Sequence, residues 1–304
     1  MSGTPAVLEE PNVVAPGRPA RQARRVALAS AVGTTVEWYD FFIYGTAAAT
    51  VLAPQFFPQV SHVAGTLAAF ATFAVGFLAR PLGGLVMGHF GDRVGRRAVL
   101  VWCLLLMGVA TLTIGLLPGY RSIGIWAPVL LVTLRFIQGF ALGGEWGGAV
   151  LMSVEHAPRG QRGFFGSFVA LGLPSGIVLS NLVFLVAAAV VTPVQFSLWA
   201  WRVPFIASAG LVGVGLFVRA GLAESPVFIA LMEAQAARRM PVLDVLRSEG
   251  RTVMLAAGSY LSISTLGYIV IVYFVSYAVR ELQWPCPPPC PCWSARPWCS
   301  RSRS

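Results

Sequence analysis

The chain has 304 residues, of which 56% are hydrophobic and 11% are charged, and its mean hydropathy is +0.72. Soluble domains carry about 25% charged residues, so this composition excludes an ordinary soluble domain. The formal net charge of +10 is compatible in principle with a nucleic-acid partner. However, the basic residues lie in short loops between long apolar blocks, so we expect no nucleic-acid binding.

Long apolar blocks follow one another along the chain. Each has about 20 or more mostly apolar residues, enough to cross a hydrocarbon core of ~30 Å. They lie at 26–53, 62–88, 98–118, 126–155, 165–191, 198–219 and 252–280. Residues 1–25 lack an apolar core and the first block continues into a full span, so no cleavable signal peptide is predicted. The sequence therefore predicts an all-α membrane protein with seven spans.

Arginines are distributed unequally between the two sides of these spans. One side has fourteen of them: Arg18, Arg21, Arg24, Arg25, Arg93, Arg96, Arg97, Arg159, Arg162, Arg219, Arg238, Arg239, Arg247 and Arg251. The opposite side has three: Arg121, Arg202 and Arg280. Because cytoplasmic loops carry the excess of basic residues, we predict that the N-terminus is cytoplasmic.

The same pattern divides the chain into segments. We predict a cytoplasmic tail at 1–25, a six-helix bundle at 26–219, a cytoplasmic connector at 220–250, a seventh transmembrane helix at 251–280 and an aberrant tail at 281–304. The connector has the composition of short amphipathic helices that lie at a membrane surface. Six spans, a charged connector and a seventh span form the first part of a 6+6 layout, so we expect that the C-terminal half is missing.

The tail at 281–304 is rich in Pro, Arg and Cys, and it contains Cys286, Cys290, Cys292 and Cys299. Two interpretations are open for it. A metal site is one, but the cysteine spacing fits no zinc template and the prolines hold the backbone extended. Out-of-frame translation of a GC-rich gene is the other, and it accounts for the whole composition. We favour the second and predict no metal and no cofactor.

Two carboxylates lie inside the first predicted span. Glu37 and Asp40 are three residues apart and share one helix face with Tyr44. A charge at bilayer depth costs at least ~2.5–3.5 kcal/mol on insertion scales, so such residues need a partner or a use. We predict that they line a polar pathway through a helix bundle.

Helix geometry groups further polar residues with these two acids. A rise of ~1.5 Å per residue puts Glu37, Arg80 and Glu145 at a similar depth and lets Asp40 and Arg135 share a second layer. The candidates for proton coupling and substrate contact are Glu37, Asp40, Arg80, Arg135, Gln138 and Glu145. Two interpretations remain open: structural ion pairs that let the helices pack, or a proton-coupling relay with substrate contacts.

The loop between the second and third spans has the most specific motif. It runs Gly88-His89-Phe90-Gly91-Asp92-Arg93-Val94-Gly95-Arg96-Arg97. This motif resembles the signature loop of the major facilitator superfamily, G-x-x-x-D-R-x-G-R-R. The run Arg135–Gly139 resembles its second motif, and Glu155–Pro158 with Arg162-Gly163 resembles the charged end of its fourth helix. The resemblance implies a conformational gate made of Gly88, Asp92, Arg93, Gly95, Arg96, Arg97, Glu155 and Arg162.

Three longer segments narrow the resemblance. They are GTTVEWYDFFIYGTAAA, FAVGFLARPLGGLVMGHFGDRVGRR and RFIQGFALGGEWGGAVLMSVEHAPRGQRG. Together they resemble the metabolite:proton symporter family, which includes permeases for proline and betaine, α-ketoglutarate, citrate and shikimate. The resemblance implies a proton-coupled symporter of a small organic acid or zwitterion in a bacterial inner membrane. Its partners would be that metabolite, protons and lipid; the sequence gives no oligomeric state.

Two rival functions remain open. An uncoupled facilitator belongs to the same class, and a non-transporting membrane fragment from a frameshifted gene belongs to a different one. No phosphate loop, metal-ligand cluster or nucleophile constellation is found in the sequence. An ATPase or another membrane enzyme is therefore not expected.

Overall fold

A computed structural model describes residues 19–158, 160–225, 228–229 and 248–268. The helices are α1 (Pro19–Ala47), α2 (Ala53–Phe56), α3 (His62–Val94), α4 (Arg96–Leu116), α5 (Tyr120–Ile123), α6 (Trp126–Glu155), α7 (Arg162–Ala170), α8 (Gly172–Val190), α9 (Pro193–Leu198), α10 (Val203–Ala220) and α11 (Gly250–Tyr268). A π-helical turn joins α1 to α2, and a 3₁₀ turn precedes α10. The described residues contain no strand, which confirms the predicted all-α class.

Five stretches are long and apolar enough to cross a membrane. They are Val63–Val94, Arg96–Leu116, Trp126–Glu155, Arg162–Val190 and Ala200–Ala220, and they match the second to sixth predicted spans. Helix α1 has 29 residues, which is also enough to cross, although its charged side chains lower its hydropathy. The predicted seventh span is described only as far as Tyr268. The tails at 1–18 and 281–304 and most of the connector lie outside the described residues.

Helix α1 lies at the centre of the bundle. It packs against α6, α7, α8 and α10, while α4 packs against both α6 and α10. Its C-terminal half contributes Tyr39, Tyr44 and the following turn to an apolar cluster with Phe56, Trp201 and Phe205. The Tyr39 hydroxyl donates to the Pro204 carbonyl at 2.8 Å. Glu37 and Asp40 of α1 are buried inside the bundle.

The outer surface of the bundle is strongly apolar. Leu78 on α3 is 75% exposed and Phe217 on α10 is 83% exposed. Trp102 on α4 and Leu182 on α8 are exposed as well. A soluble monomer rarely exposes contiguous apolar surface on this scale. We therefore expect this surface to face membrane lipid.

Helices α3 and α6 approach each other through glycines. A Cβ added at Gly139 would overlap the Gly76 carbonyl oxygen, and one added at Gly143 would overlap the Arg80 carbonyl oxygen. Small residues let transmembrane backbones come this close. The close contact fixes the relative depth of Arg80 on α3 and of Arg135 on α6.

We expect Gly139→Val to weaken this contact strongly. The added methyl groups meet backbone, which cannot turn aside as a flexible side chain can, and overpacking typically costs about 1–3 kcal/mol. The matched control is Gly147→Val on the same helix, because a Cβ at Gly147 meets nothing within 4 Å. The measurement is thermal unfolding of the detergent-purified protein. Equal melting temperatures for the two variants would contradict this packing.

Candidate functional site

A cavity in the middle of the bundle collects most of the predicted pathway residues. Glu37 comes from α1, Arg80 from α3, and Arg135 and Gln138 from α6, and all four line it. Glu37, Arg135 and Gln138 are 3%, 4% and 3% exposed. The rest of the lining is mainly apolar, with Phe41, Phe77, Met107 and Leu142. An acid and two guanidinium groups therefore line one cavity, and ionisable residues at such a place in a membrane protein are candidates for a functional site.

Aromatic rings hold both guanidinium groups. The Cζ atom of Arg80 lies 4.9 Å from the centroid of Phe77 and 5.3 Å from that of Phe41. The Cζ atom of Arg135 lies 3.8 Å from the centroid of Tyr44 and 4.9 Å from that of Phe73. A ring face attracts a cation without neutralising it. Both guanidinium groups therefore keep their positive charge at the cavity.

A chain of hydrogen bonds links Arg135 to Asp40 across three helices. Arg135 Nη1 donates to Gln138 Oε1 at 2.5 Å, Gln138 Nε2 donates to Thr111 Oγ1 at 2.7 Å, and Thr111 Oγ1 donates to Asp40 Oδ2 at 2.8 Å. Asp40 is 1% exposed and Thr111 is fully buried. Asp40 and Arg135 are thus connected, but through two intermediates rather than by a direct ion pair.

Glu145 has a different partner from those that its predicted depth suggested. Its Oε1 lies 2.5 Å from Arg219 Nη2 on α10, and Arg219 Nη1 donates to the Leu100 carbonyl at 2.9 Å. The guanidinium of Arg219 also fills the space that a side chain at Gly33 would need. One ion pair therefore ties α1, α4, α6 and α10 together, and Arg80 lies with Glu37 at the cavity instead.

Arg219, counted above among the arginines of the arginine-rich side, lies inside the bundle, within its predicted bounds of 26–219. Arg219 is 2% exposed and lies in the last turn of α10. Its position at the edge of an apolar block made it resemble a loop arginine. Without Arg219 the arginine asymmetry keeps the same sign, so the predicted orientation does not depend on it.

Two acids, Glu155 and Glu224, contact the loop between α3 and α4 that was predicted to be part of a gate. Arg96 forms an ion pair with Glu155, whose other oxygen accepts from the Ser225 hydroxyl. Glu224 Oε1 accepts from the backbone N–H groups of Arg96 at 3.1 Å and Arg97 at 3.2 Å. A carboxylate at this place satisfies the free N–H groups at the start of α4 and interacts favourably with the helix dipole.

Gly95 makes this contact possible. Its φ is +111°, which favours glycine, and a Cβ there would overlap the Glu224 carboxylate.

The other residues predicted for the gate are more open. Asp92, Arg93 and Arg162 are exposed, and a Cβ at Gly88 would meet nothing within 4 Å. In the described residues it is thus Glu155 and Glu224, rather than Asp92, that bind this loop. The sequence analysis missed Glu224, although an acid directly after an apolar block was a visible signal.

We expect Glu224→Gln to loosen this end of the bundle. The amide keeps the shape but loses the charge that interacts with the first turn of α4, a loss of about 0.5–2 kcal/mol. The control is Glu249→Gln, because Glu249 is exposed and its carboxylate accepts from the Thr252 hydroxyl of its own segment. Thermal unfolding in detergent measures the difference. A Glu224 variant as stable as the control would show that the cap contributes nothing.

Comparison with known proteins places these features in a family. Residues 26–255 match the family described as sugar (and other) transporters. The shikimate transporter of Escherichia coli (strain K12) is 48% identical over 267 residues, which cover 87% of this chain and 61% of the relative. The proline/betaine transporter of the same strain is 33% identical over 289 residues, which cover 92% of this chain and 57% of the relative. The chain thus spans about three fifths of the length of these relatives.

A solved structure shows the same fold. The proton:xylose symporter of the major facilitator superfamily, with 6-bromo-6-deoxy-D-glucose bound, superposes with a TM-score of 0.60 and 19% sequence identity. The match covers 78% of this chain and 57% of that chain. The predicted major facilitator fold is confirmed, and so is the expectation of a transporter rather than an enzyme at the level of the family.

Proposed function

The chain belongs to the family of sugar (and other) transporters, and we propose that it supplies the proton-coupling half of a symporter. The substrate is a small organic acid or a zwitterionic metabolite, and the membrane is a bacterial inner membrane. Asp40 carries the coupled proton, and Glu37, Arg80 and Arg135 contact the substrate. Gln138 connects the two groups. Glu145 and Arg219 hold the bundle together around them.

The cavity charges are the observation that supports this proposal. Two guanidinium groups face one carboxylate there, so the enclosed space has an excess of positive charge that suits a carboxylate substrate. Glu37 can receive a substrate amino or quaternary ammonium group, or a hydroxyl. Shikimate is a carboxylate, and proline and betaine are zwitterions, so the substrates after which these relatives are named fit this pattern of charges.

The loop network supplies a second part of the proposed mechanism. Arg96, Glu155, Glu224 and Ser225 join the ends of α4 and α6 to the segment after α10. Alternating access in this kind of fold rocks one bundle against the other, so contacts at the helix ends have to form and break. We propose that this network, together with Gly88, Asp92, Arg93, Gly95, Arg97 and Arg162, is the cytoplasmic gate.

Uptake into proteoliposomes tests the proposed function. The 304-residue chain is compared with a chimera in which its residues 26–268 replace the matching part of the E. coli shikimate transporter. Labelled shikimate, proline and betaine are offered with and without an inward proton gradient. We expect the chimera to accumulate at least one of them only with the gradient. Equilibration without accumulation indicates a facilitator, and a correctly inserted chimera without any uptake would overturn the proposal.

The cytoplasmic N-terminus is tested separately by cysteine labelling. With all five native cysteines replaced by alanine, a cysteine at Ser61 is expected to react with a membrane-impermeant maleimide added to intact cells. A cysteine at the exposed Val94 is expected to react only after the membrane is opened. Ser61 and Val94 lie at the opposite ends of α3, so each is the control of the other. The reverse labelling pattern would invert the orientation.

A further inference from the structure

The hydroxyl group of Thr111 has two possible acceptors and a single proton. Its Oγ1 lies 2.8 Å from Asp40 Oδ2 and 3.0 Å from the Met107 carbonyl oxygen. Gln138 occupies the third direction, and its orientation is settled by Arg135. A guanidinium only donates, so Gln138 must turn its carbonyl oxygen to Arg135 and its amide N–H to Thr111. Within this series of hydrogen bonds, only the direction of the Thr111 hydroxyl proton can therefore change.

The geometry points to the Thr111 hydroxyl as a switch that couples the proton on Asp40 to an anion bound at Arg135. This inference rests on the proposed function and names how its two sites communicate. With Asp40 ionised, the hydroxyl donates to the carboxylate, because a charged acceptor is the stronger one. When Asp40 gains a proton it becomes a neutral acid, and the hydroxyl turns to Met107. The Asp40 O–H then donates to Thr111 Oγ1.

The switch changes the charge that the cavity presents. While Asp40 is ionised, each of the three hydrogen bonds is donated in the direction from Arg135 to Asp40. The bonds polarise one another, so the ionised carboxylate weakens the attraction of the Arg135 guanidinium for an anion in the cavity. Protonation of Asp40 removes this effect. The Nε atom of Arg135 is buried without a hydrogen-bond partner among the described residues and is available to an anion. A carboxylate therefore binds better when Asp40 is protonated, and by reciprocity it favours proton binding by the same factor.

Other charges near Asp40 do not perform this task. Arg135 and Glu145, both on α6, are the charged groups that act on it from a neighbouring helix. Glu145 is held in its ion pair with Arg219, and neither Glu37 nor Arg80 takes part in the hydrogen-bond chain from Arg135 to Asp40. Thr111 is thus a positioning residue, which acts on the substrate only through Gln138 and Arg135.

Infrared difference spectroscopy of the 304-residue chain in liposomes tests the switch. The carboxyl band of protonated Asp40 is assigned by its loss in Asp40→Asn. We expect shikimate, added at constant pH, to increase this band in the natural chain, whereas the uncharged methyl ester of shikimate does not. Thr111→Val should lose the shikimate response and shift the band frequency, since the hydrogen bond to Asp40 is gone.

Two control variants distinguish the loss of the Thr111 hydroxyl from a general disturbance of helix packing. Thr111→Ser keeps the hydroxyl and should behave as the natural chain. Thr113→Val removes an exposed hydroxyl that donates to the Val109 carbonyl of the same helix, and it should also respond normally. If Thr111→Val responds to shikimate as the natural chain does, the switch is wrong while the proposed function stands. If the natural chain itself shows no response, the switch is also wrong, and the uptake assay decides separately about transport.

Discussion

Replacing Arg219 with methionine is expected to destabilise the bundle by about 3–5 kcal/mol, which is typical when one partner of a buried ion pair is removed. The carboxylate of Glu145 is fully buried and would lose both its ion pair and its hydrogen bond. The Leu100 carbonyl would also lose the hydrogen bond that it accepts from the Arg219 guanidinium. Because four helices meet at this guanidinium, we expect the variant to insert poorly and to aggregate in detergent.

The matched experiment removes both charges at once. The double variant Arg219→Met/Glu145→Leu is expected to regain most of the lost stability, because well-packed apolar residues often replace a buried ion pair without loss. Arg251→Met is the control for the loss of a basic residue, since Arg251 is exposed. Size-exclusion profiles and melting temperatures report the result. A single variant at Arg219 that melts like the natural protein would show that this ion pair does not hold the bundle.

Replacing Asp40 with asparagine is expected to abolish proton-driven accumulation of substrate in the chimera while exchange across the membrane partly survives. Asparagine cannot carry the proton, but its amide oxygen can still accept from Thr111, so the chain to Arg135 keeps its geometry. Exchange needs no net proton release and therefore tolerates the change. The concentration ratio across the membrane should fall to about one, since an uncoupled carrier only equilibrates its substrate.

Glu37→Gln serves as the comparison for this variant. Glu37 lines the cavity but takes no part in the hydrogen-bond chain to Arg135, so its amide should raise the KM for zwitterions and leave coupling intact. If the Asp40 amide accumulates substrate normally and the Glu37 amide does not, the coupled proton resides on Glu37. If both accumulate it normally, the two acids are packing residues.

The sequence predicted the fold better than it predicted the contacts of the site. Apolar length is a property of each helix alone, so the second to sixth spans were identified directly from the sequence. The buried charges of α1 were equally visible, because a carboxylate in an apolar block is costly. Depth along a helix also predicted correctly that Glu37 and Arg80 lie together.

Contacts between helices depend on rotation and tilt, which the sequence does not reveal. Depth alone grouped Glu145 with Arg80, whereas the rotation of α10 brings Arg219 to it. Thr111 was overlooked because one threonine in an apolar helix has no distinctive pattern. Its role follows only from the close approach of α1, α4 and α6, which the structure gives.

Simultaneous recording of substrate and proton movement tests the central claim most directly. Proteoliposomes with the chimera receive labelled shikimate in a weakly buffered medium, and both the uptake and the external pH are followed. We predict that the medium becomes more alkaline as shikimate enters, and that Asp40→Asn removes this change together with accumulation. Uptake of shikimate that leaves the external pH constant would contradict the account and identify an uncoupled facilitator.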